Sequence, residues 1–177
     1  MNKELLLSNL RNIPDFPIPG IQFKDVTSLF KNPACMQELD KALYEKYKDA
    51  GITKIVGIES RGFVMASALA VKLNAGFVPI RKPGKLPAET ISESYGKEYG
   101  RDTIEIHKDA IDENDVVLIH DDLLATGGTM LAAYNLVKKL NPKRVLINFL
   151  IELEGLEGRK TFPAEAEIDC LLTLEGK

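Results

Sequence analysis

The stretch from Val116 to Thr129 constrains the fold more than any other part of the sequence. It begins with an apolar run rich in β-branched residues, which predicts a buried strand. Two carboxylates follow, Asp121 and Asp122, and then small residues open an amphipathic helical pattern. The stretch therefore predicts a strand, a tight turn and a helix in immediate succession.

The turn in this stretch has the chemistry of a phosphate site. The first turn of a helix presents free N–H groups and the positive end of the helix dipole. Glycines let the backbone approach a ligand closely, and threonine hydroxyls add donors. We call this segment the phosphate turn; its residues are Ala125, Thr126, Gly127, Gly128 and Thr129. Asp121 and Asp122 would repel phosphate, so we expect them to bind a group next to it.

Other interpretations of the stretch are weaker. The sequence lacks the Gly-Lys-Ser/Thr of a Walker loop and the spaced glycines of a dinucleotide-binding turn. An acidic strand end could instead bind Mg²⁺, as in receiver domains, with an ordinary helix cap after it. The adjacent Gly127 and Gly128 favour phosphate over that alternative.

Length and composition limit the class of protein. At 177 residues the chain predicts one domain with a full core. A formal net charge of -3 gives no general attraction to nucleic acid or anionic membranes. Residues 1–7 do not resemble a signal peptide, and no apolar run approaches the roughly 18 residues of a membrane span. Cys35 and Cys170 are far apart and lack zinc spacing. We expect a cytoplasmic, single-domain protein.

Helical and extended patterns alternate along the chain. Helices are predicted over residues 3–11, from Pro33 towards Gly51, over 63–73, and from Thr129 to Pro142; strands are predicted over 21–25, 54–58, 77–80, 101–107, 116–120, 144–151 and 168–174. This order favours an α/β fold with a mostly parallel twisted sheet flanked by helices. Residues 12–20, with three prolines, predict a loop, and residues 81–100 show no core periodicity.

A second strand end, at Glu59 to Gly62, also has unusual chemistry. A hydrolase nucleophile elbow would need glycine two residues before Ser60, and that residue is Ile58. We therefore favour a second anion loop in which Ser60 and Arg61 hold a diphosphate. A solvated surface Arg61 is the alternative. The basic segment 81–85 becomes a candidate clamp beside the two anion sites.

The sequence is similar to the type I phosphoribosyltransferases, and it resembles the adenine-specific members of that family over almost its whole length. The phosphoribosyl-diphosphate signature of the family matches residues 121–129, in which two Asp and two Leu precede the phosphate turn. Seven further blocks match in the same order, at residues 14–17, 19–20, 23–25, 59–63, 81–87, 95–100 and 152–159.

The resemblance implies a fold and a reaction. The fold would be the type I phosphoribosyltransferase fold, with a small N-terminal hood over about residues 1–32 and a mobile catalytic loop over about residues 82–102. The reaction would be adenine plus phosphoribosyl diphosphate giving AMP and diphosphate, a step of purine salvage. The family uses Mg²⁺, which the diphosphate would bring without a dedicated protein cage, and its members form homodimers.

The resemblance also implies a role for each matching residue. The phosphate turn would hold the 5′-phosphate, and Asp121 and Asp122 the ribose hydroxyls. The groups around the diphosphate would be Ser60, Arg61, Arg81, Lys82 and Lys85. Glu98 and Tyr99 would close over the reacting centre and act with Asp122 in catalysis. Adenine would lie in the hood segment of Gln22, Phe23 and Lys24, stacked on Phe23 and contacted by backbone groups.

Two alternatives remain open at this stage. One is a phosphoribosyltransferase for another purine, namely hypoxanthine, guanine or xanthine. The other is a non-catalytic regulator that binds phosphoribosyl diphosphate. A regulator of genes would need a DNA-binding helix pair and a basic face, and this acidic chain predicts neither.

Overall fold

The computed structural model describes residues 1–16, 19–20, 22–96 and 100–176. The helices in those ranges are α1 (Lys3–Asn9), α2 (Thr27–Phe30), α3 (Pro33–Tyr47), α4 (Gly62–Lys72) and α5 (Gly128–Lys138). The strands are β1 (Arg11–Pro14), β2 (Gln22–Asp25), β3 (Lys54–Ile58), β4 (Gly76–Ile80), β5 (Thr90–Gly96), β6 (Arg101–His107), β7 (Val116–Leu124), β8 (Arg144–Glu154) and β9 (Glu167–Glu175). A 3₁₀ turn spans Gly158–Thr161.

A five-stranded sheet forms the centre of the protein. Its strand order is β4-β3-β7-β8-β9, and every neighbouring pair is parallel. Helix α4 connects β3 to β4, and α5 connects β7 to β8. The predicted α/β fold with a parallel sheet is confirmed, and all five central strands lie where the apolar runs predict them.

Both faces of the sheet are covered, which explains the near-continuous apolar runs of its central strands. On one face, Val117, Ile119 and Ile147 pack against α5 and the β6 strand. On the other face, Leu118 and Leu146 pack against the helices that come earlier in the chain, α1 to α4. None of the helices in the described ranges is long and apolar enough to cross a lipid bilayer.

Helix α3 begins as its sequence predicts. The Asn32 side chain accepts hydrogen bonds from the backbone N–H groups of Ala34 and Cys35, and Pro33 occupies the first helical position. The helix ends at Tyr47, before Gly51, whose φ of +69° suits glycine. Cys35, Leu39 and Leu43 on its inner face are fully buried.

The N-terminal segment departs from the predicted loop. Residues Arg11–Pro14 form β1, which pairs antiparallel with β2. Pro14 is the last residue of β1, where the strand needs no further N–H donor, so this proline ends the strand and does not exclude it. The Asn12 amide donates to Gln22 Oε1 at 2.7 Å and strengthens the pairing.

A second antiparallel hairpin, β5 with β6, packs on the face of the sheet that α5 covers. The predicted strand over residues 101–107 is confirmed, with Ile104 and Ile106 buried. Strand β5 was not predicted, because Ile91 and Tyr95 are its only partly buried apolar side chains packed on this core. The pairing with β6 forms this strand despite its polar sequence.

Candidate active site

A cleft of about 220 Å³ lies at the carboxyl ends of β3, β4 and β7. Ligands of open α/β sheets bind at this edge, because the loops that follow parallel strands meet there. The residues lining the cleft are Ile58, Glu59, Ser60, Arg61, Ile80, Arg81, Lys82, Tyr95, Asp102, Ile104, Asp121, Asp122 and Thr129. Apart from three isoleucines, every one of them has a polar or charged side chain.

The two carboxylates of β7 are buried at the floor of the cleft. The Asp122 side chain is only 3% exposed, and its Oδ2 lies 2.8 Å from Arg61 Nε at the start of α4. Burial raises the pKa of Asp122, and the Arg61 charge partly opposes that rise. Burial, together with the neighbouring Asp122 charge, raises the pKa of Asp121 well above its usual value. The buried Asp122 Oδ2 therefore has Arg61 as its ion-pair partner and no further hydrogen-bond donor among the described residues.

The phosphate turn lies between the end of β7 and the start of α5. Gly127 caps the helix with a φ of +85°, a conformation that favours glycine. Thr129, in the first turn of α5, lines the cleft and donates its hydroxyl to the Tyr95 hydroxyl at 3.1 Å. The turn thus places a helix N-terminus beside the two carboxylates, as the sequence predicts.

Glu59 organises the basic side of the cleft. Its carboxylate accepts from Arg81 Nε at 3.2 Å and from the backbone N–H of Lys82 at 2.9 Å. These two contacts lower the pKa of Glu59, and the hydrogen bond from the Lys82 N–H has the larger effect. A smaller effect comes from the positive charge of Lys85, which does not line the cleft. Glu59 therefore holds the beginning of the basic segment next to Ser60 and Arg61.

The β5–β6 hairpin closes one side of the cleft. Tyr95 donates its hydroxyl to Asp102 Oδ2 at 3.3 Å, and Lys82 forms an ion pair with the same carboxylate. Paired backbone hydrogen bonds of 3.0 and 2.8 Å join Arg81 to Glu105. The hairpin therefore contacts both the basic segment and the phosphate turn.

The hood residues lie beside the cleft and do not line it. The Arg61 guanidinium carbon lies 5.7 Å from the centre of the Phe23 ring, a cation–π contact. Phe16 packs edge-on against Phe23 with ring centres 5.0 Å apart. Lys24 donates to Asn12 Oδ1 at 2.9 Å. Arg61 thus connects the Phe23 ring to the Asp122 carboxylate.

Seven of the seventeen predicted site residues lie together in the cleft, and Thr129 is the one residue of the phosphate turn among them. The ones that line the cleft are Ser60, Arg61, Arg81, Lys82, Asp121, Asp122 and Thr129. Glu98 and Tyr99 lie outside the described residues. Glu59, Tyr95 and Asp102 were not predicted as site residues, although the first two lie in the sequence blocks 59–63 and 95–100. For Glu59 and Tyr95, their position in these matching blocks is the sequence feature that could have identified them as site residues.

His120 lies directly behind the carboxylates and does not reach the cleft. It is 1% exposed, and its Nδ1 lies 2.9 Å from Asn148 Oδ1 on the neighbouring strand β8. Burial lowers the pKa of His120 to about 4, so the imidazole is neutral at physiological pH. His120 is therefore a packed residue of the core and not part of the cleft.

Comparisons with known proteins identify relatives of the chain. A family model described as the phosphoribosyl transferase domain matches residues 25–166. The adenine phosphoribosyltransferase of Phocaeicola vulgatus is 68% identical over 98% of this chain and 100% of that protein. The corresponding protein of Bacteroides thetaiotaomicron is 67% identical over 98% of this chain and 99% of its own length.

Solved structures match the fold as well. The crystal structure of adenine phosphoribosyltransferase from Rhodothermus marinus superposes with a TM-score of 0.89 at 52% identity, covering 97% of each chain. The enzyme from Giardia lamblia, complexed with 9-deazaadenine, gives a TM-score of 0.91 at 40% identity and covers 98% of each chain.

Proposed function

The chain belongs to the phosphoribosyltransferase family, and we propose that it is an adenine phosphoribosyltransferase. It would transfer the 5-phosphoribosyl group from phosphoribosyl diphosphate to adenine, giving AMP and diphosphate. One observation supports this most directly. A single cleft is lined by Thr129 of the phosphate turn, by the Asp121 and Asp122 pair, and by basic groups at Arg61 and Lys82.

The substrate would lie across this cleft with its ribose over the carboxylates. Its 5′-phosphate would bind at residues 125–129, where the N-terminus of α5 supplies N–H donors. The ribose hydroxyls would donate hydrogen bonds to Asp121 and Asp122, and the buried Asp122 Oδ2 has no donor besides Arg61 among the described residues. The diphosphate would bind Ser60, Arg61 and the basic segment Arg81, Lys82 and Lys85.

Displacement at the anomeric carbon builds positive charge on the ribose and negative charge on the departing diphosphate. The buried carboxylate of Asp122 stabilises a cationic sugar, and Arg61 and Lys82 stabilise the leaving group. Arg61 contacts Asp122 in the described conformation, so one residue connects the two sites of developing charge. Lys82 would exchange its ion pair with Asp102 for one with the diphosphate.

Adenine would stack on Phe23, next to the ribose site. The contact of Arg61, a cleft residue, with the Phe23 ring supports this position, and Gln22 and Lys24 flank Phe23 on β2. Glu98 and Tyr99 would close over the reacting centre and keep water from the activated sugar. Replacing Glu98 by Gln should slow the chemical step with little change in diphosphate affinity.

Mg²⁺ would act as the cofactor and arrive with the diphosphate. Within the described residues there is no group of three or more His, Cys, Asp or Glu side chains that could hold a metal ion. The carboxylates of Asp121 and Asp122 are hard oxygen ligands of the kind that Mg²⁺ accepts alongside substrate phosphates. When bound, the ion would neutralise charge on the leaving diphosphate. The proposal includes a homodimer, as the family resemblance implies, and a cytoplasmic location.

A single assay tests the proposal against its competitors. Purified protein is incubated with phosphoribosyl diphosphate, Mg²⁺ and each purine base in turn, and nucleotide products are separated by chromatography. We expect AMP from adenine, at a rate roughly 100-fold or more above that of IMP, GMP or XMP formation, because polar base recognition discriminates strongly. A faster reaction with another base would show that this base, and not adenine, is the substrate.

The same preparation separates an enzyme from a regulator. Tight binding of phosphoribosyl diphosphate without any nucleotide product would support a non-catalytic binding protein. The Arg144→Gln variant serves as a control, because Arg144 forms an exposed ion pair with Glu167 at the N-terminal end of β8. Its rate should equal that of the parent protein.

A further inference from the structure

The 3₁₀ turn Gly158–Thr161, which we call the support turn, packs directly on the back of the phosphate turn. A Cβ atom at Gly127 would lie 2.7 Å from the Gly158 carbonyl oxygen. A Cβ atom at Gly158 would lie 2.3 Å from the Ala125 carbonyl oxygen. No side chain fits at either position, so the two turns meet backbone to backbone.

Side chains of the support turn fix the orientation of the phosphate turn. The Thr161 hydroxyl donates to the Thr126 carbonyl at 2.8 Å. In a trans peptide the carbonyl and the following N–H point in opposite directions. Holding the Thr126 carbonyl against the support turn therefore directs the Gly127 N–H away from it, towards the side on which a phosphate would bind. The buried Phe162 ring lies next to Gly127 and anchors the end of the support turn.

Arg159 holds the support turn to the sheet. Its Nε lies 2.8 Å from each carboxylate oxygen of Glu152, and its Nη1 donates to the Ile168 carbonyl at 2.9 Å. Glu152, 14% exposed at its side chain, is the register partner of Leu124, the last residue before the phosphate turn. Arg159 therefore ties the support turn to β8 and β9 beside the point where the phosphate turn begins.

We propose that Arg159 and Thr161 are positioning residues for 5′-phosphate recognition. Neither lines the cleft. They act through the support turn, which directs the backbone N–H groups of the phosphate turn at the phosphate. The inference rests on the proposed function, in which residues 125–129 bind that group. Diphosphate binding, on the opposite side of Asp121 and Asp122, does not depend on the support turn.

Two variants test this inference with separate ligands. In Arg159→Gln, the affinity for ribose 5-phosphate should fall about tenfold, because a charged fork of hydrogen bonds is lost. In Thr161→Val, which removes a single exposed hydroxyl, we expect a fall of roughly threefold to tenfold. Affinity for diphosphate in the presence of Mg²⁺ should change by less than about twofold in both. Calorimetric titration measures the two affinities on the same preparation.

Controls separate positioning from general destabilisation. Arg144→Gln removes an Arg–Glu fork of the same kind, the Arg144–Glu167 pair, at the far end of β8 and should leave both affinities unchanged. Arg159→Lys keeps the charge without the fork and should recover part of the lost affinity. Normal ribose 5-phosphate affinity in both Arg159→Gln and Thr161→Val would overturn the inference, as would equal losses for both ligands. A parent protein that binds no ribose 5-phosphate would overturn the proposed function itself.

Discussion

Arg61 Nε lies 2.8 Å from Asp122 Oδ2, and the two side chains differ sharply in exposure, at 42% and 3%. The pair lies where α4 begins and β7 ends, so it joins the two strand ends that the sequence singles out. Since Asp122 is buried and Arg61 is not, the carboxylate depends on this partner for much of its charge compensation, whereas the guanidinium can turn to solvent or to a diphosphate.

Replacing Asp122 by Asn should lower turnover at least about tenfold, roughly 1.4 kcal/mol of barrier, because the amide removes negative charge beside the cationic ribose. The protein should remain folded, since burial already disfavours the ionised carboxylate and Arg61 can be solvated. Steady-state kinetics and thermal unfolding measure the two effects. Asp40→Asn, which breaks the surface ion pair with Lys72, is the matched control. Normal turnover in Asp122→Asn would show that Asp122 does not take part in the reaction.

Replacing Tyr95 by Phe should loosen the β5–β6 hairpin. The Tyr95 hydroxyl accepts from Thr129 on α5 and donates to Asp102 on β6. Its loss therefore removes one hydrogen bond that ties the hairpin to α5 and one that joins the two strands of the hairpin. We expect faster amide hydrogen exchange in residues 90–96, because the free energy of opening the hairpin should fall by about 0.5–1.5 kcal/mol. Tyr44→Phe, at a half-buried position of α3 away from the hairpin, should change nothing in the hairpin. Unaltered exchange in Tyr95→Phe would show that the hairpin is held by its other contacts.

The sheet could be predicted from the sequence because its three inner strands, β3, β7 and β8, are apolar runs buried on both faces. Residues 144–151 illustrate this, since Val145, Ile147 and Phe149 pack on one face and Leu146 and Leu150 on the other. The phosphate turn was predictable for a different reason. Its glycines and threonines have few structural uses together at a strand end, apart from anion binding.

The polar partners in the cleft could not be predicted from local patterns. Glu59 contacts Arg81, which is 22 positions away in the chain, and Tyr95 contacts Thr129, which is 34 positions away. Such contacts depend on the sheet order and on the hairpin packing, which periodicity does not specify. Strand β5 was missed for a related reason, because its pairing with β6 and not its own composition determines it.

Replacing Gly127 by Ala should destabilise the protein by about 3 kcal/mol or more. A left-handed conformation costs alanine about 1–2 kcal/mol, and the new Cβ would in addition lie 2.7 Å from the Gly158 carbonyl oxygen. Gly51→Ala isolates the first effect, because Gly51 has a φ of +69° and no atom within 4 Å of an added Cβ. Denaturant unfolding of both variants gives the difference. Equal losses of unfolding free energy in Gly127→Ala and Gly51→Ala would mean that the support turn moves away from the new Cβ at little cost.

His120 should make the protein less stable as the pH falls from 6.5 towards 4. Its pKa of about 4 in the folded protein lies below the ordinary value of 6.5, so the unfolded chain binds the proton first. Stability is therefore fully present above pH 6.5 and is lost on acidification, by about 2 kcal/mol between pH 7 and pH 5. In His120→Gln, an amide can still donate to Asn148 but does not titrate, so this loss should disappear from the unfolding free energy. His107→Gln, which changes the other histidine, should keep it. A pH dependence that is the same in the parent and in His120→Gln would show that His120 is not responsible.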